Sequence, residues 1–176
     1  MSLEIRPATP NDLAEIYDVM WSTAYIQTFY GGKPFEEIKP QLLAKLFASD
    51  VCAFVAIEED RIVGYTIFAP YAEYYESKSL PSSIEFQGKQ YDLRGYAYSL
   101  GTGVHEEYRG KNIGTQLRLY ADEQARKAGF SGMVTDVDSS NIASLKAQLK
   151  AGFSKVAEIP DPKRTFGKNT LWIKSF

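Results

Sequence analysis

The strongest constraint on the fold is the segment GVHEEYRGKNIGTQL, residues 103–117, where the apolar spacing changes from that of a strand to that of a helix. An apolar run ends at Val104, a polar loop with Arg109 and two glycines follows, and helical spacing begins at Ile113. Such a loop exposes unpaired backbone N–H groups beside the positive end of the helix dipole. The segment therefore indicates an α/β fold with a loop suited to a phosphate or pyrophosphate.

Asn112 stands where a glycine is the usual residue of such a loop. Asparagine is one of the few other residues that tolerate the left-handed backbone region, so we predict that conformation at Asn112. An ordinary glycine-rich turn without a ligand is the competing interpretation. Two other phosphate-binding motifs are excluded, because the loop lacks Gly-Lys-Ser/Thr and because Glu106 replaces the third glycine of the dinucleotide fingerprint.

Strand and helix patterns alternate along the rest of the chain and predict one mixed α/β domain over residues 1–176. The predicted elements, in chain order, are a strand in LEIRPA, a helix capped by Thr9, a helix that begins at Pro40, a hairpin in CAFVAIEEDRIVGYTIFA, a strand that ends at Val104, a helix over 114–128, a strand in GMVTDVD, a helix over 141–151, and strands in FSKVAEI and TLWIKSF. Residues 71–92 show no clear period and are interpreted as a long excursion between the third and fourth strands.

Composition excludes several classes of protein. The chain has 176 residues, 44% of them hydrophobic, so it can bury a full core. A net charge of −2 provides no basic field for nucleic acid. The single cysteine, Cys52, lies in an apolar run and is expected to be a buried thiol, and with one histidine the chain is expected to bind no metal. Without an apolar stretch of membrane-spanning length or a signal-peptide core, we expect a cytoplasmic protein that contacts no membrane.

The loop segment resembles the acetyl-CoA-binding segment of the GNAT superfamily of N-acetyltransferases, whose pattern is Arg/Gln-x-x-Gly-x-Gly/Ala at the start of the central helix. Arg109 and Gly114 match this pattern, and Asn112 departs from it at the first glycine. The hairpin EEDRIVGYTIF also resembles the second and third strands of the family. Order and spacing agree along most of the chain, and residues 71–92 have no counterpart.

A second segment, NIASLKAQLKAGF, is similar to the family's Asn-x-x-Ala-x-x-x-Tyr-x-x-x-Gly-Phe. Asn141, Gly152 and Phe153 match, and Ser144 replaces the alanine. On helical spacing, this segment predicts a polar face and an opposite apolar stripe. The polar face contains Asn141, Ser144 and Gln148, and the apolar stripe contains Ile142, Leu145 and Leu149.

The resemblance implies a central, mainly antiparallel sheet with splayed fourth and fifth strands and flanking helices. It implies transfer of an acetyl group from acetyl-CoA to a primary amine of a small molecule, amino acid or peptide by direct attack. The residues that it implies for binding acetyl-CoA are Thr102, Val104, Arg109, Gly110, Lys111, Asn112, Ile113, Gly114, Thr115, Asn141 and Ser144.

The catalytic groups depart from the family pattern. The fourth strand, LRGYAYSLGTGV, contains no carboxylate, and Tyr98 occupies the common base position. Gln148 occupies the position of the tyrosine acid and cannot supply a proton. Catalysis is therefore expected to rest on positioning, backbone donors and water. A catalytically weak or silent acyl-CoA-binding regulatory module, or an unrelated nucleotide-binding protein, remains as an alternative.

The acceptor side is assigned to residues 71–92. The resemblance places loops of this region along the acceptor cleft, and Glu73, Tyr74 and Glu76 would favour a cationic amine through charge pairing and cation–π attraction. The competing interpretation is an irregular surface segment whose aromatic residues cover the core. Asp136 and Asp138 on the fifth strand are expected to be structural or capping residues. The acceptor's identity, the general base and acid, and the formation of a homodimer are left open by the sequence.

Overall fold

The structure is a computed structural model that describes residues 3–160 and 168–176. Its strands pair mainly antiparallel and alternate with helices along the chain, which confirms the predicted mixed α/β class. The chain forms two compact units. Unit 1 contains Met1–Phe68 and Leu100–Ala121, and unit 2 contains Ala69–Ser99 and Asp122–Phe176.

Unit 1 is built on neighbouring strands in the order β1-β2-β3-β6. The strands are β1 (Glu4–Pro7), β2 (Cys52–Glu58), β3 (Arg61–Pro70) and β6 (Ala97–Val104), and the end of β3 and the beginning of β6 belong to unit 2. The β1–β2 and β2–β3 pairs are antiparallel. At the β2–β3 turn, Glu59 and Asp60 have φ of 52° and 61°, which is the backbone of a tight two-residue hairpin. The predicted hairpin is confirmed.

The helices of unit 1 are α1 (Leu13–Ser22), α2 (Tyr25–Tyr30), α3 (Phe35–Leu46) and the first part of α4 (Ile113–Lys127). Strands β2 and β3 bury residues of both faces, because helices cover each face. One face contributes Val55, Tyr65 and Ile67 to a core with α1, α2 and α3, and the other contributes Ala56 and Val63 to a core with Ile113 and Leu117 of α4.

The entry into α1 follows the predicted capping pattern. The backbone N–H of Thr9 donates to Asp12 Oδ2 at 2.7 Å, and the Arg6 guanidinium donates to both carboxylate oxygens of Asp12 at 2.8 Å. The hydrogen bonds from Arg6, with those from Thr9, lower the pKa of Asp12 to about 2. This partly buried ion pair fixes the start of the helical layer of unit 1.

The prediction that a helix begins at Pro40 was wrong. Helix α3 begins at Phe35, after Pro34, and Pro40 lies inside it. Pro40 has no N–H to donate to the carbonyl of Glu36, but both residues are exposed, so that water can bond to this carbonyl. The helix buries Ile38, Leu42 and Leu46 on its opposite side, and this burial maintains it through the proline.

Cys52 is the first residue of β2 and is only half-buried, so the expectation of a buried thiol was wrong. Burial still raises the pKa of its thiol. Within residues 3–160 and 168–176, none of the helices combines the length and the apolar composition that crossing a bilayer requires.

Unit 2 has strand β7 (Gly132–Asp138) at its centre, in the order β6-β7-β9-β8. Strand β9 (Lys168–Ser175) pairs antiparallel with β7 and with β8 (Ser154–Pro160), and β6 pairs with β7 in parallel. The parallel register consists of Ala97 with Met133 and Tyr98 with Val134, near the beginnings of both strands. This short pairing fits the predicted splaying of the fourth and fifth strands, here β6 and β7.

Residues 71–92 are not a structureless excursion. They contain the antiparallel hairpin of β4 (Ser83–Phe86) and β5 (Lys89–Asp92). Gln87 and Gly88 form its turn with φ of 53° and 73°. The strands are four residues long and mostly exposed, so they carry too little alternation between apolar and polar residues to be recognised in the sequence. Helix α5 (Ile142–Lys150) follows β7 and completes the unit.

Candidate active site

The loop between β6 and α4 adopts the backbone that the sequence predicts. Glu106–Tyr108 form a single 3-10 turn, and Gly110 and Asn112 have φ of 82° and 65°. Both values lie in the left-handed region, so Asn112 takes over the conformation of a glycine. Helix α4 begins at the next residue, Ile113, and its first N–H groups have no partner within the helix. Backbone of this kind, at the start of a helix, is suited to an anion.

Gly114 is the second residue of α4, and the packing of the described residues does not require a glycine there. A Cβ atom at this position would lie 3.5 Å from Val104 Cγ2 and 4.0 Å from Arg118 Nη1, which are ordinary contacts. A Cβ atom at Gly110 would meet no heavy atom within 4 Å among residues 3–160 and 168–176. Since a helical glycine destabilises the fold relative to alanine, the bare backbone at Gly114 fits the close approach of a ligand.

The two cations of the loop have partners within unit 1. The Arg109 guanidinium donates to the carbonyl of Ser22, the last residue of α1, at 3.1 Å. Lys111 Nζ lies 2.9 Å from Glu58 Oε2, and this hydrogen bond raises the pKa of Lys111. Lys111 is exposed, so its ion pair contributes little to stability and can be exchanged for a phosphate at small cost.

The remaining predicted residues of this loop differ in what they can present to a ligand. The Thr102 hydroxyl lies 2.9 Å from that of Thr66, and Ile113 is buried against Leu117. These side chains pack within unit 1. Val104 and Thr115 are half-buried at the end of β6 and the start of α4.

In unit 2, Tyr98 is part of a polar cluster that joins three strands. Its phenol O–H donates to Asp136 Oδ1, and Asn169 Nδ2 donates to Asp136 Oδ2 at 3.0 Å. Tyr98 and Asn169 are buried, whereas Asp136 retains some exposed surface. Asp136 and Asn169 were not among the candidate site residues. The signal that could have identified Asp136 is a carboxylate within a strand that also contains the apolar residues Met133, Val134 and Val137.

The aromatic residues after β3 surround Tyr98. The rings of Tyr71 and Tyr74 lie 5.6 and 5.9 Å from the Tyr98 ring, and Lys78 Nζ lies 4.9 Å from its centroid. Glu76 accepts a hydrogen bond from Tyr75, and Glu73 is exposed. The structure thus brings Tyr74 and Lys78 to Tyr98. Lys78 was not anticipated, and its charge is opposite to that of the carboxylates expected there.

In helix α5 the predicted polar face contributes a buried residue, Gln148, whereas two residues of the predicted apolar stripe are exposed. Gln148 is 4% exposed, whereas Ile142 and Leu149 are 56% and 62% exposed. Helical spacing separates two faces but does not say which one is covered. The covered side of α5 contains Gln148 together with Ala151, the residue that ends the helix, and tertiary packing selected it.

The matched asparagine and its neighbours have structural roles in unit 2. Asn141 is the N-cap of α5, since its Oδ1 accepts a hydrogen bond from the N–H of Ser144 at 3.1 Å. The carboxylate of Asp138 accepts hydrogen bonds from the N–H and hydroxyl of Ser140, as expected of a capping residue. The buried Oε1 of Gln148 has no hydrogen-bond partner in the described part of the chain, a state that a polar ligand would relieve.

The structure defines an α/β protein in which a loop with left-handed backbone joins strand β6 to the start of helix α4. Residues 11–153 match the family model described as Acetyltransferase (GNAT) family, and the chain belongs to this family.

Two sequence relatives carry amino-acid activities in their names. The L-methionine sulfoximine/L-methionine sulfone acetyltransferase of Salmonella typhimurium is 30% identical over 83 residues, which cover 47% of this chain and 46% of the relative. The L-amino acid N-acyltransferase MnaT of Escherichia coli is 34% identical over 65 residues, which cover 37% and 38%. The chain therefore spans less than half the length of these curated relatives.

Solved structures agree with the fold over nearly the whole chain. The putative acetyltransferase yncA of Salmonella typhimurium, solved with its cofactor acetyl-CoA, has a TM-score of 0.70 at 21% identity and covers 99% of this chain and 94% of its own. An N-acetyltransferase of Staphylococcus aureus has a TM-score of 0.72 at 20% identity, with 99% of both chains covered. At these identities the likeness establishes the fold.

Proposed function

We propose that this protein transfers the acetyl group of acetyl-CoA to the primary amine of a small molecule, amino acid or peptide by direct attack of the amine. The observation that carries the proposal is the backbone from Gly110 to Gly114, with two left-handed residues and a helical glycine that the packing does not require. Family membership and the acetyl-CoA complex of a structural neighbour support it.

The residues of the chain have separate tasks in this proposal. Backbone N–H groups from Gly110 to Thr115 bind the pyrophosphate, assisted by the charges of Arg109 and Lys111. Backbone groups of β6 around Thr102 and Val104 bind the arm that follows. Acetyl-CoA supplies the activated thioester when bound, and the protein orients the amine towards it.

Among acceptors we propose a free amino acid first. The Lys78 ammonium beside the Tyr98 ring offers a cation for the carboxylate of the acceptor, and the ring of Tyr74 offers an apolar surface for its side chain. Exposed Glu73 and the nearby Glu76 supply negative charge for the ammonium group. The amino-acid activities named for two relatives support the same class.

Calorimetric titration with acetyl-CoA and a thiol-release assay test the proposal. The assay covers amino acids, polyamines, aminoglycosides, peptides and amino sugar phosphates, and we expect acetyl-CoA to bind and amino acids to give the highest rates. In Lys78→Ala, we expect KM to rise for an amino acid and to stay unchanged for its decarboxylated amine. Binding of acetyl-CoA with no thiol release on any amine would instead identify an acyl-CoA-binding module, and absence of binding would refute the proposal.

A further inference from the structure

We infer that Glu58 competes with the phosphates of acetyl-CoA for the ammonium group of Lys111 and so sets how tightly the ligand binds. The inference rests on the proposed function, because it concerns the loop to which that proposal assigns the pyrophosphate. All residues involved belong to unit 1. The feature that prompts it is an acidic stretch, Glu58-Glu59-Asp60, whose first carboxylate is bonded to a cation of this loop.

Two contacts hold the ammonium group of Lys111. Its Nζ lies 2.9 Å from Glu58 Oε2 and 4.7 Å from the centroid of the Tyr108 ring. Tyr108 belongs to the same loop and packs against the core that contains Ile113 and Leu117, so its ring is itself held in place. The hydrogen bond to Glu58 also raises the pKa of Lys111, which keeps the group a cation.

A phosphate and the Glu58 carboxylate compete because both accept the N–H donors of one ammonium group. While Lys111 Nζ stays 2.9 Å from Glu58, a phosphate bonded to the same nitrogen would bring two anions close together, and their repulsion would weaken binding. If Lys111 instead turns to the phosphate, the ion pair with Glu58 is lost. In either arrangement the ligand binds more weakly than it would to a Lys111 without this carboxylate partner.

The exchange of partners is accessible to the chain. The side chains of Lys111 and Glu58 are 52% and 18% exposed, so a ligand in solvent can reach the ammonium group. Arg61 stands directly opposite Glu58 in the β2–β3 register, and opposite charges in such a cross-strand position attract. When Lys111 leaves, the partly buried carboxylate therefore keeps a positive neighbour.

Calorimetric titration of a double-mutant cycle tests the competition. The proteins are the wild type, Glu58→Gln, Lys111→Gln and the double variant, and the ion pair is exposed enough for all of them to fold. Exposed ion pairs are weak, so in Glu58→Gln we expect the acetyl-CoA dissociation constant to fall about threefold to fivefold at low salt and by less at high salt. In Lys111→Gln the constant should rise, and adding Glu58→Gln to that variant should change it by less than about 1.5-fold.

Glu59→Gln is the matched control. Glu59 is the next residue of the turn and is exposed, and this change removes the same charge without removing the hydrogen bond to Lys111. Its effect on affinity should be smaller than that of Glu58→Gln. Titration with CoA and with 3′-dephospho-CoA assigns the phosphate: a gain in Glu58→Gln that disappears with 3′-dephospho-CoA supports the inference with the 3′-phosphate as the partner of Lys111, and a gain that persists supports it with the pyrophosphate.

Three outcomes overturn the inference. They are a dissociation constant that is unchanged or higher in folded Glu58→Gln, an unchanged constant in Lys111→Gln, and equal effects of Glu58→Gln and Glu59→Gln, which would show only the general field of the turn. The first two leave the proposed function intact. A wild-type protein that binds acetyl-CoA but releases no thiol on any amine refutes the proposed transfer and leaves this inference standing, because the dissociation constant is measured without turnover.

Discussion

Replacing Gly114 by alanine should stabilise the protein and weaken its binding of acetyl-CoA. The new Cβ atom would lie 3.5 Å from Val104 Cγ2, an ordinary contact, so the fold can accept it. Gly114 is helical, and alanine in a helix is favoured over glycine by roughly 0.5–1 kcal/mol. The melting temperature of the free protein should therefore rise by about 1–4 °C.

With acetyl-CoA bound, the wild type should be more stable than Gly114→Ala. The added methyl group keeps a pyrophosphate from the backbone amides at the start of α4, and one hydrogen bond to a charged group is worth about 1.5–3 kcal/mol. We therefore expect the acetyl-CoA dissociation constant to rise roughly 10-fold to 100-fold. At a ligand concentration of about 100 times the wild-type constant, the wild type gains ~2.7 kcal/mol and a variant that binds tenfold more weakly gains ~1.4 kcal/mol.

Thermal unfolding with and without acetyl-CoA, together with calorimetric titration, measures both effects. Asn112→Gly is the matched variant that should keep the affinity, since both residues accept the left-handed backbone. Gly64→Ala is a structural control, because its Cβ atom would lie 2.9 Å from Leu117 Cδ1 and 3.0 Å from the Gly103 carbonyl. It should lose stability with or without ligand. An unchanged affinity in both Gly114→Ala and Gly114→Val would refute the placement of the pyrophosphate.

Two further predictions concern stability. Gln148→Leu removes a buried carbonyl oxygen that has no hydrogen-bond partner among the described residues, so the free energy of unfolding without ligand should rise by about 1 kcal/mol in a urea titration; a lower free energy would contradict this. The pKa of Asp12 is lowered to about 2, chiefly by Arg6, so its ion pair stabilises the fold above the unfolded pKa of about 3.9 and loses this effect as the pH falls towards 2. Asp12→Asn should therefore lower the free energy of unfolding by roughly 2 kcal/mol at pH 7 and by progressively less below pH 4, and a difference that does not change with pH would exclude the ion pair as its cause.

Much of the element order could be predicted because it depends on local signals. The β2–β3 hairpin, β7 and α4 follow from apolar periodicity and from glycines such as Gly129, whose φ is 89° at the end of α4. The backbone of Asn112 could be predicted for the same reason, since the left-handed region is a property of the residue itself. The loop between β6 and α4 and its resemblance to the family could therefore be predicted from the sequence.

The sequence alone did not predict an element correctly where its local pattern is weak or where the element depends on packing against other parts of the chain. The β4–β5 hairpin is short and exposed, and α3 continues through Pro40 because burial on its opposite side outweighs one lost hydrogen bond. In both cases local propensity points to irregular structure, and packing or strand pairing provides the missing free energy.

The amino-acid sequence alone determined most of the strands and helices and the left-handed backbone of the loop before α4, because each of these depends on residues close together in the chain. Only the tertiary structure decided which face of α5 is covered and that Asp136 meets Tyr98 and Asn169. Asp136 lies 38 positions from Tyr98 and 33 positions from Asn169 in the chain, and strand pairing brings the three together. Periodicity identifies the faces of a helix or strand, but tertiary packing and strand pairing decide which residues each face contacts.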